Sequence, residues 1–264
     1  SAIDLTSLDG STGFRIDGVD ADDNSGRFVS GAGDVNGDGF DDLIIGAVFG
    51  DAGGSQSGES YVVFGKAGGF ASALNLGSLN GSNGFRLDGI AAIDNSGWSV
   101  SGAGDVNGDG FDDLIIGARY ADAGGKFNSG ESYVVFGKSG GFASAMDLSS
   151  LDGSTGFRLD GIDAGDKSGF SVSSAGDVNG DGFDDLIIGA PYGDAGGFNS
   201  GESYVVFGGN FTGGAETQVG TAADNTLSAV NGGGLDILIG GQGDDVLISD
   251  GGDDVLRGGQ GDDV

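Results

Sequence analysis

The sequence predicts an all-β repeat protein: three four-stranded propeller blades followed by a tail of shorter repeats. Three observations carry this. A 15-residue segment, Gly33 to Ala47, returns after 71 residues from Gly104 and after a further 72 from Gly176. Each period holds four short strand-like runs separated by Gly, Asp and Asn clusters, which punctuate turns. Beyond about residue 220 the long period gives way to one of nine residues.

In the first unit the strands are expected near 13–17, 27–32, 42–47 and 60–64. The first alternates, with Phe14 and Ile16 on one face and Arg15 and Asp17 on the other. The third and fourth, such as Leu43-Ile44-Ile45 and Tyr61-Val62-Val63-Phe64, are continuously apolar, as strands buried on both faces are. A blade sandwiched between neighbouring blades needs inner strands of that kind. The flanks repeat as well: Gly13–Gly18 matches Gly84–Gly89 and Gly156–Gly161, and Gly58–Gly65 matches Gly130–Gly137 and Gly201–Gly208. The expected divisions are therefore blades at 1–71, 72–143 and 144–209, a polar linker at 210–219, and a nonapeptide segment at 220–264. Propellers use roughly four to eight blades. Three blades are thus expected to be part of a larger propeller or of one that several chains complete. Ser1-Ala2-Ile3-Asp4-Leu5 aligns with Ser144-Ala145-Met146-Asp147-Leu148, which follows Gly-Gly-Phe-Ala in the chain, so further repeats are expected upstream. The last nonapeptide breaks off mid-repeat.

Composition narrows the class. Of 264 residues, 61 are Gly and one is Pro, and the Gly follow no three-residue period, which excludes collagen. Acidic residues number 41 against 10 basic ones, for a net charge of −31. Such a surface repels nucleic acid and anionic membranes and attracts cations. Two like charges about 4 Å apart cost roughly 4 kcal/mol at an effective dielectric near 20, so a compact fold needs counter-ions. There is no Cys and hence no disulfide, no apolar run of membrane-spanning length, and no cleavable secretion signal within residues 1–30.

The chemistry lies in the acidic loops. Asp34, Asn36, Asp38 and Asp42 place side-chain oxygens at positions 1, 3, 5 and 9 of a loop, with the Phe40 carbonyl at position 7. The same set recurs as Asp105, Asn107, Asp109, Phe111, Asp113 and as Asp177, Asn179, Asp181, Phe183, Asp185. All-oxygen donors at this spacing suit calcium, which accepts six to eight oxygens in flexible geometry. Gly at positions 4 and 6 lets the loop turn back. An EF-hand or dockerin loop needs an acidic residue at position 12; here Ile45, Ile116 and Ile188 stand there, inside an apolar run. The loop must join two strands.

These units resemble the FG-GAP repeats of the integrin α-chain β-propeller, over about residues 1–209. That family carries a Phe-Gly element, a nine-residue calcium loop and then Gly-Ala-Pro. Gly189-Ala190-Pro191 matches in full, whereas Gly46-Ala47-Val48 and Gly117-Ala118-Arg119 lack the Pro. The Phe-Gly element reads Ser25-Gly26, Ser96-Gly97 and Ser168-Gly169. The resemblance implies one calcium per blade. It does not carry over integrin ligand binding, since there is no Arg-Gly-Asp.

The tail resembles the RTX, or haemolysin-type, calcium-binding repeat, most clearly at Gly240-Gly241-Gln242-Gly243-Asp244-Asp245-Val246-Leu247-Ile248. This implies a short parallel β-roll in which Asp236, Asp245, Asp254 and Asp263 are metal ligands and Leu238, Leu247 and Leu256 form the core stripe. Asn225 and Leu227 begin a degenerate first copy.

Other recurrent residues read as structural. Arg15, Arg86 and Arg158 face solvent and offset nearby carboxylates; Glu59, Glu131 and Glu202 recur in phase. Trp98 aligns with Arg27 and Phe170, so its position is expected to tolerate charge and lie outside the deep core. Without His or Cys there is no Ser-His-Asp triad and no thiol nucleophile, and no enzymatic activity is expected of this segment. The sequence reading is a calcium-binding extracellular scaffold or adhesion module, secreted by the type I route that the RTX resemblance implies. Its expected partners are calcium, other copies of itself, extracellular proteins or glycans, without nucleic acid or membrane insertion. The alternatives are the calcium-dependent folding and export portion of a larger secreted enzyme, and a glycan-binding propeller.

Overall fold

The structure, a computed structural model, describes residues 2–209, 211, 217–219, 226–228, 237–248 and 255–264. It is all-β: these residues form strands and 3-10 turns, with no α-helix among them and no helix long and apolar enough to cross a membrane. They fall into two compact units, Ser1–Leu151 with Phe157–Gly208, and Asp152–Gly156 with Gly209–Val264.

The strands of the repeats are β1 (Arg15–Asp17), β2 (Phe28–Gly33), β3 (Asp42–Ala47), β4 (Glu59–Val63), β5 (Ala73–Asn75), β6 (Gly84–Asp88), β7 (Ser99–Gly104), β8 (Asp113–Ala118), β9 (Glu131–Val135), β10 (Ala145–Asp147), β11 (Gly156–Asp160), β12 (Ser171–Gly176), β13 (Asp185–Ala190) and β14 (Glu202–Val206). The first sheet runs β2-β3-β4-β6, with β10 parallel on the outer edge of β6; the second runs β7-β8-β9-β11; the third is β12-β13-β14. β1 pairs in parallel with β5.

The four strands expected in each period are all present, but a sheet does not coincide with a period. The outer strand of the first sheet, β6, comes from the next repeat: Tyr61 faces Arg86 and Val62 faces Phe85 across the β4–β6 pair. The segment between β4 and β6 also has a structure that was not anticipated. It contains the short strand β5 and then a 3-10 turn, Leu76–Ser78, whose first N–H groups are met by the Asn75 side chain accepting from Gly77 N. Asp4 and Asp147 make the same cap on Thr6 N and Ser149 N. An Asx side chain at that position supplies a missing hydrogen-bond partner and fixes the turn.

Adjacent sheets stack face to face. Ile44, Val62 and Phe85 of the first pack with Leu114, Ile116 and Tyr133 of the second in one buried cluster. This is why β3, β4, β8 and β9 read as continuous apolar runs: each is covered on both sides, save at Leu43 of β3, and β4, β8 and β9 are buried at every position. Each large aliphatic side chain taken fully out of water stabilises by about 1.5–3 kcal/mol. Phe85 stacks on Phe142 with ring centroids 4.2 Å apart. At the far end of β2 the register slips between Gly31 and Gly33, with a matching slip in β7 and β12. The bulge turns the chain out of the sheet and into the acidic loop.

In the second unit the strands are β15 (Thr217–Val219), β16 (Thr226–Ser228), β17 (Ile237–Gln242), β18 (Val246–Ile248) and β19 (Val255–Gln260). All pair in parallel, in the order β15-β17-β19 in one sheet and β16-β18 in another. Ile237 stands opposite Val255, two nonapeptides apart, so successive repeats alternate between the two sheets. This is the expected parallel β-roll.

Candidate metal centres

Each acidic loop joins the first two strands of its sheet, which places it at one end of the blade. Its shape is set by its own carboxylates. Asp34 Oδ1 accepts from Gly37 N at 2.8 Å and Asp38 N at 3.0 Å, and Oδ2 accepts from Gly39 N at 2.8 Å. Asn36 Oδ1 accepts from Asp38 N at 2.8 Å, and Asp38 Oδ1 from Phe40 N at 3.0 Å. Gly37 and Gly39 take φ of 74° and 87°, which L side chains avoid. The loops at 105–113 and 177–185 repeat these bonds.

Asp42, Asp113 and Asp185 are fully buried. Asp42 accepts from Val35 N at 3.1 Å and Gly65 N at 2.8 Å, tying the loop to the segment just past β4; Asp113 and Asp185 do the same for their blades. Burial, with the loop's own carboxylates nearby, pushes the Asp42 carboxyl up to about 6 and that of Asp113 up to about 8.

Among the described residues no three acidic side chains lie close enough together to hold a metal ion as they stand. The donor set nonetheless fits a hard cation. Every side-chain donor is an oxygen, the five donors fall within nine residues, and two N–H bonds leave each buried carboxylate with lone pairs to spare. Residues 34, 36, 38, 40 and 42, and their counterparts, would hold the ion.

The structure adds a residue that sequence reasoning passed over, at position 8. Asp112 Oδ2 accepts from Asp34 N at 2.7 Å, and Asp184 Oδ2 from Asp105 N at 2.9 Å. The second and third loops thereby each hold the start of the loop before them. The preceding Phe takes part: a Cβ on Gly37 would strike the Phe111 ring, and one on Gly108 the Phe183 ring. The signal was present in the sequence, since Asp41, Asp112 and Asp184 recur as faithfully as the ligand positions.

In the β-roll, Asp245 and Asp263 come together. Asp245 is 1% exposed, and its N–H donates to Asp263 Oδ1 at 3.0 Å. Asp236 and Asp254 lie outside the described residues, as does Asn225. Leu238 and Leu256 are register partners in the β17–β19 pair, and Leu247 is half-buried opposite Leu227.

The remaining recurrent residues have structural partners. Arg86 pairs with Asp88 at 2.5 Å, Arg15 with Asp17 and Arg158 with Asp160 at 2.6 Å. Tyr61, Tyr133 and Tyr204 donate hydroxyl hydrogen bonds to Glu59, Glu131 and Glu202. Trp98 departs from the sequence reading. It is 8% exposed, and the Arg119 and Arg27 guanidinium groups lie 3.0 Å and 4.5 Å from its ring centroid.

A protein-family model described as FG-GAP repeat matches residues 25–63, 96–135 and 168–206, and one described as RTX calcium-binding nonapeptide repeat matches residues 230–264. The chain carries three FG-GAP repeats followed by RTX calcium-binding nonapeptide repeats. Among curated proteins it is similar to integrin alpha-PS2 of Drosophila melanogaster, 32% identical over 158 residues, covering 58% of this chain and 11% of that protein. Integrin alpha-V of Gallus gallus is 31% identical over 162 residues, covering 60% of this chain and 14% of that protein. Phosphatidylinositol-glycan-specific phospholipase D of Dictyostelium discoideum is 30% identical over 187 residues, covering 66% of this chain and 19% of that protein. The chain thus spans between 11% and 19% of the length of these relatives.

Proposed function

We propose that this chain is a calcium-binding extracellular scaffold or adhesion module, in which calcium holds the fold together and performs no chemistry. The observation that carries the reading is the loop itself: three copies of one all-oxygen donor set, each anchored by a buried aspartate between two strands. The ligand sets are Asp34, Asn36, Asp38, Phe40 and Asp42 with their counterparts in the other two blades, joined in the roll by Asp236, Asp245, Asp254 and Asp263. Ion binding to the folded state alone couples calcium to stability, so calcium-rich surroundings outside cells favour the folded form. Integrin relatives and RTX repeats support placement outside the cell or at its surface, and the RTX repeats support export by the type I route.

The test is a calcium titration of the chelator-stripped chain, followed by calorimetry and circular dichroism together. Several ions should bind as β-structure forms or tightens, and Asp38→Ala should remove one ion from the count. An unchanged count in Asp38→Ala sinks that site, and a chain equally folded without binding calcium sinks the reading as a whole.

The similarity to a phospholipase D supports a second reading, in which this segment is the calcium-dependent folding portion of a larger secreted enzyme. A polypeptide carrying a catalytic domain whose secretion and activity fail when these repeats are deleted would favour it.

A further inference from the structure

Where the repeats need an Asx side chain, the chain exchanges Asp and Asn freely. Asp4, Asn75 and Asp147 hold one repeat position, and Asp9, Asn80 and Asp152 another. Position 3 of the acidic loops is different. It is Asn in all three copies, among aspartates at positions 1, 5 and 9, and Gly always follows it. The loop requires that Gly, since Gly37, Gly108 and Gly180 take φ of 74°, 76° and 79°. The Asn supplies an N–H. Its Nδ2 donates to the position-5 carboxylate at 3.2 Å from Asn36 to Asp38, 3.0 Å from Asn107 to Asp109 and 2.7 Å from Asn179 to Asp181. An aspartate there would set two carboxylates against each other.

Asn followed by Gly is also a reactive pair, because no side chain shields the Gly nitrogen from the Asn amide carbon. The loop arranges three groups around that reaction. The Gly37 N–H points at a base, donating to Asp34 Oδ1 at 2.8 Å. The Asn36 carbonyl is polarised: its Oδ1 accepts from Asp38 N at 2.8 Å, where negative charge builds as the carbon is attacked. The leaving nitrogen is held by Asp38 Oδ2. The other two loops repeat the arrangement, with Gly108 N on Asp105 Oδ1 at 2.7 Å and Gly180 N on Asp177 Oδ1 at 2.6 Å. Asn80-Gly81 is the same dipeptide without the base, since Gly81 N donates to the Gly84 carbonyl.

We infer that Asn36, Asn107 and Asn179 are sites of self-deamidation that calcium holds shut, an inference that rests on the calcium reading above. The Gly37 nitrogen bonds to Asn36 Cγ and gives up its proton toward Asp34. The Cγ–Nδ2 bond breaks, Nδ2 leaves with that proton as ammonia, and a succinimide remains. Water then opens the ring at one carbonyl or the other, leaving an aspartate or an isoaspartate at position 36. One water enters and one ammonia leaves, and nothing is oxidised or reduced. Calcium held by Asp34, Asn36 and Asp38 engages the base and fixes the Asn36 amide, so its carbon cannot swing onto the Gly37 nitrogen. The change is permanent. An isoaspartate lengthens the loop backbone by one atom, and an aspartate turns the Asn36 donor into a second acceptor beside Asp38. Each loop therefore keeps a chemical record of time spent without calcium.

The test is to age the 264-residue chain at neutral pH, one portion in saturating calcium and one in chelator at matched ionic strength, and to follow each Asn by peptide mass spectrometry. Cleavage after Lys and Arg puts Asn36, Asn80 and Asn107 in different peptides. At about 100 times its dissociation constant, calcium leaves about 1% of the loops without an ion. Deamidation at Asn36, Asn107 and Asn179 should therefore be about 100-fold slower in calcium than in chelator. Asn80 should slow by far less, since folding alone protects it. A chain aged in chelator and returned to calcium should bind fewer ions than a fresh one. Counting bound calcium in the same samples separates the two ways of failing. If calcium binds yet the three sites react as fast as in chelator, or Asn80 is protected as strongly as they are, the inference is overturned and the calcium reading stands. If no calcium binds, the calcium reading falls and takes the inference with it.

Discussion

Asp113 shows how one side chain can serve both the fold and an ion. It is fully buried, and its two oxygens accept from Val106 N and Gly137 N. Asp113→Ala would leave both N–H groups buried without partners, at about 1–3 kcal/mol each. A loss of about 2–5 kcal/mol in urea unfolding is expected even in chelator; a loss below about 1 kcal/mol would mean the carboxylate serves the ion alone. Asp94 carries a different charge problem. Burial, then the nearby Glu131 and Asp122 charges, raise its carboxyl from the ordinary 3.8 to about 6. A raised folded-state value penalises the ionised form, so stability should rise as pH falls from about 7 toward 5. Solvent screening keeps the gain to roughly 1–2 kcal/mol, below the full linkage value. Asp94→Asn should reduce that rise, leaving the share that Asp42 contributes in the same range, and should stabilise the chain at neutral pH; an unchanged pH profile would clear Asp94 of the effect. The ligand positions were legible because oxygen donors at fixed spacing have few other uses. Trp98 was misread for a physical reason. Its alignment with Arg27 suggested an exposed site, yet guanidinium groups stacked on the indole face can sit beside a buried ring.

At the scale of elements, strand content could be read from apolar runs and turn residues, but the phase of the sheets could not. A period of 71 or 72 residues has the same pattern wherever it is cut. Nothing in Gly84–Asp88 says whether it bonds to the strand before it or after it. That choice is made by the β5 segment, which lets the chain double back onto β4. Glycines at the sheet junctions carry a second kind of information. A Cβ on Gly117 would collide with the Gly169 carbonyl in the turn before β12, whereas one on Gly189, at the same position in the third sheet, would make only ordinary contact with Ser171 at 3.6 Å. Gly117→Ala should therefore lower the thermal midpoint by several degrees, in line with the roughly 1–3 kcal/mol of an overpacked site. Gly189→Ala should be neutral within about 0.5 kcal/mol. Equal effects at the two positions would show that the glycines serve backbone conformation and not the approach of one sheet to the next.

For the whole molecule the governing quantity is the net charge of −31, set against so few cations that the chain cannot neutralise itself internally. Two remedies exist, and they differ in ways that can be measured. General screening acts through ionic strength, and at about 0.15 M it shortens the reach of charge to roughly 8 Å. Site binding acts through the number of ions held by N and not by U, and grows with the logarithm of ligand concentration. The buried Asp42, Asp113 and Asp185 favour site binding, since salt screens a buried charge much less than an exposed one. In chelator, added sodium chloride should raise the unfolding midpoint only modestly. Calcium chloride at matched ionic strength should raise it much further, and the midpoint should keep climbing with calcium after the salt response has levelled off. Magnesium should fall short of calcium, because its tighter octahedral demand suits a flexible oxygen loop less well. If sodium chloride at equal ionic strength stabilises as much as calcium, the loops act as diffuse charge, and the repeated donor sets must be explained by the turns they build.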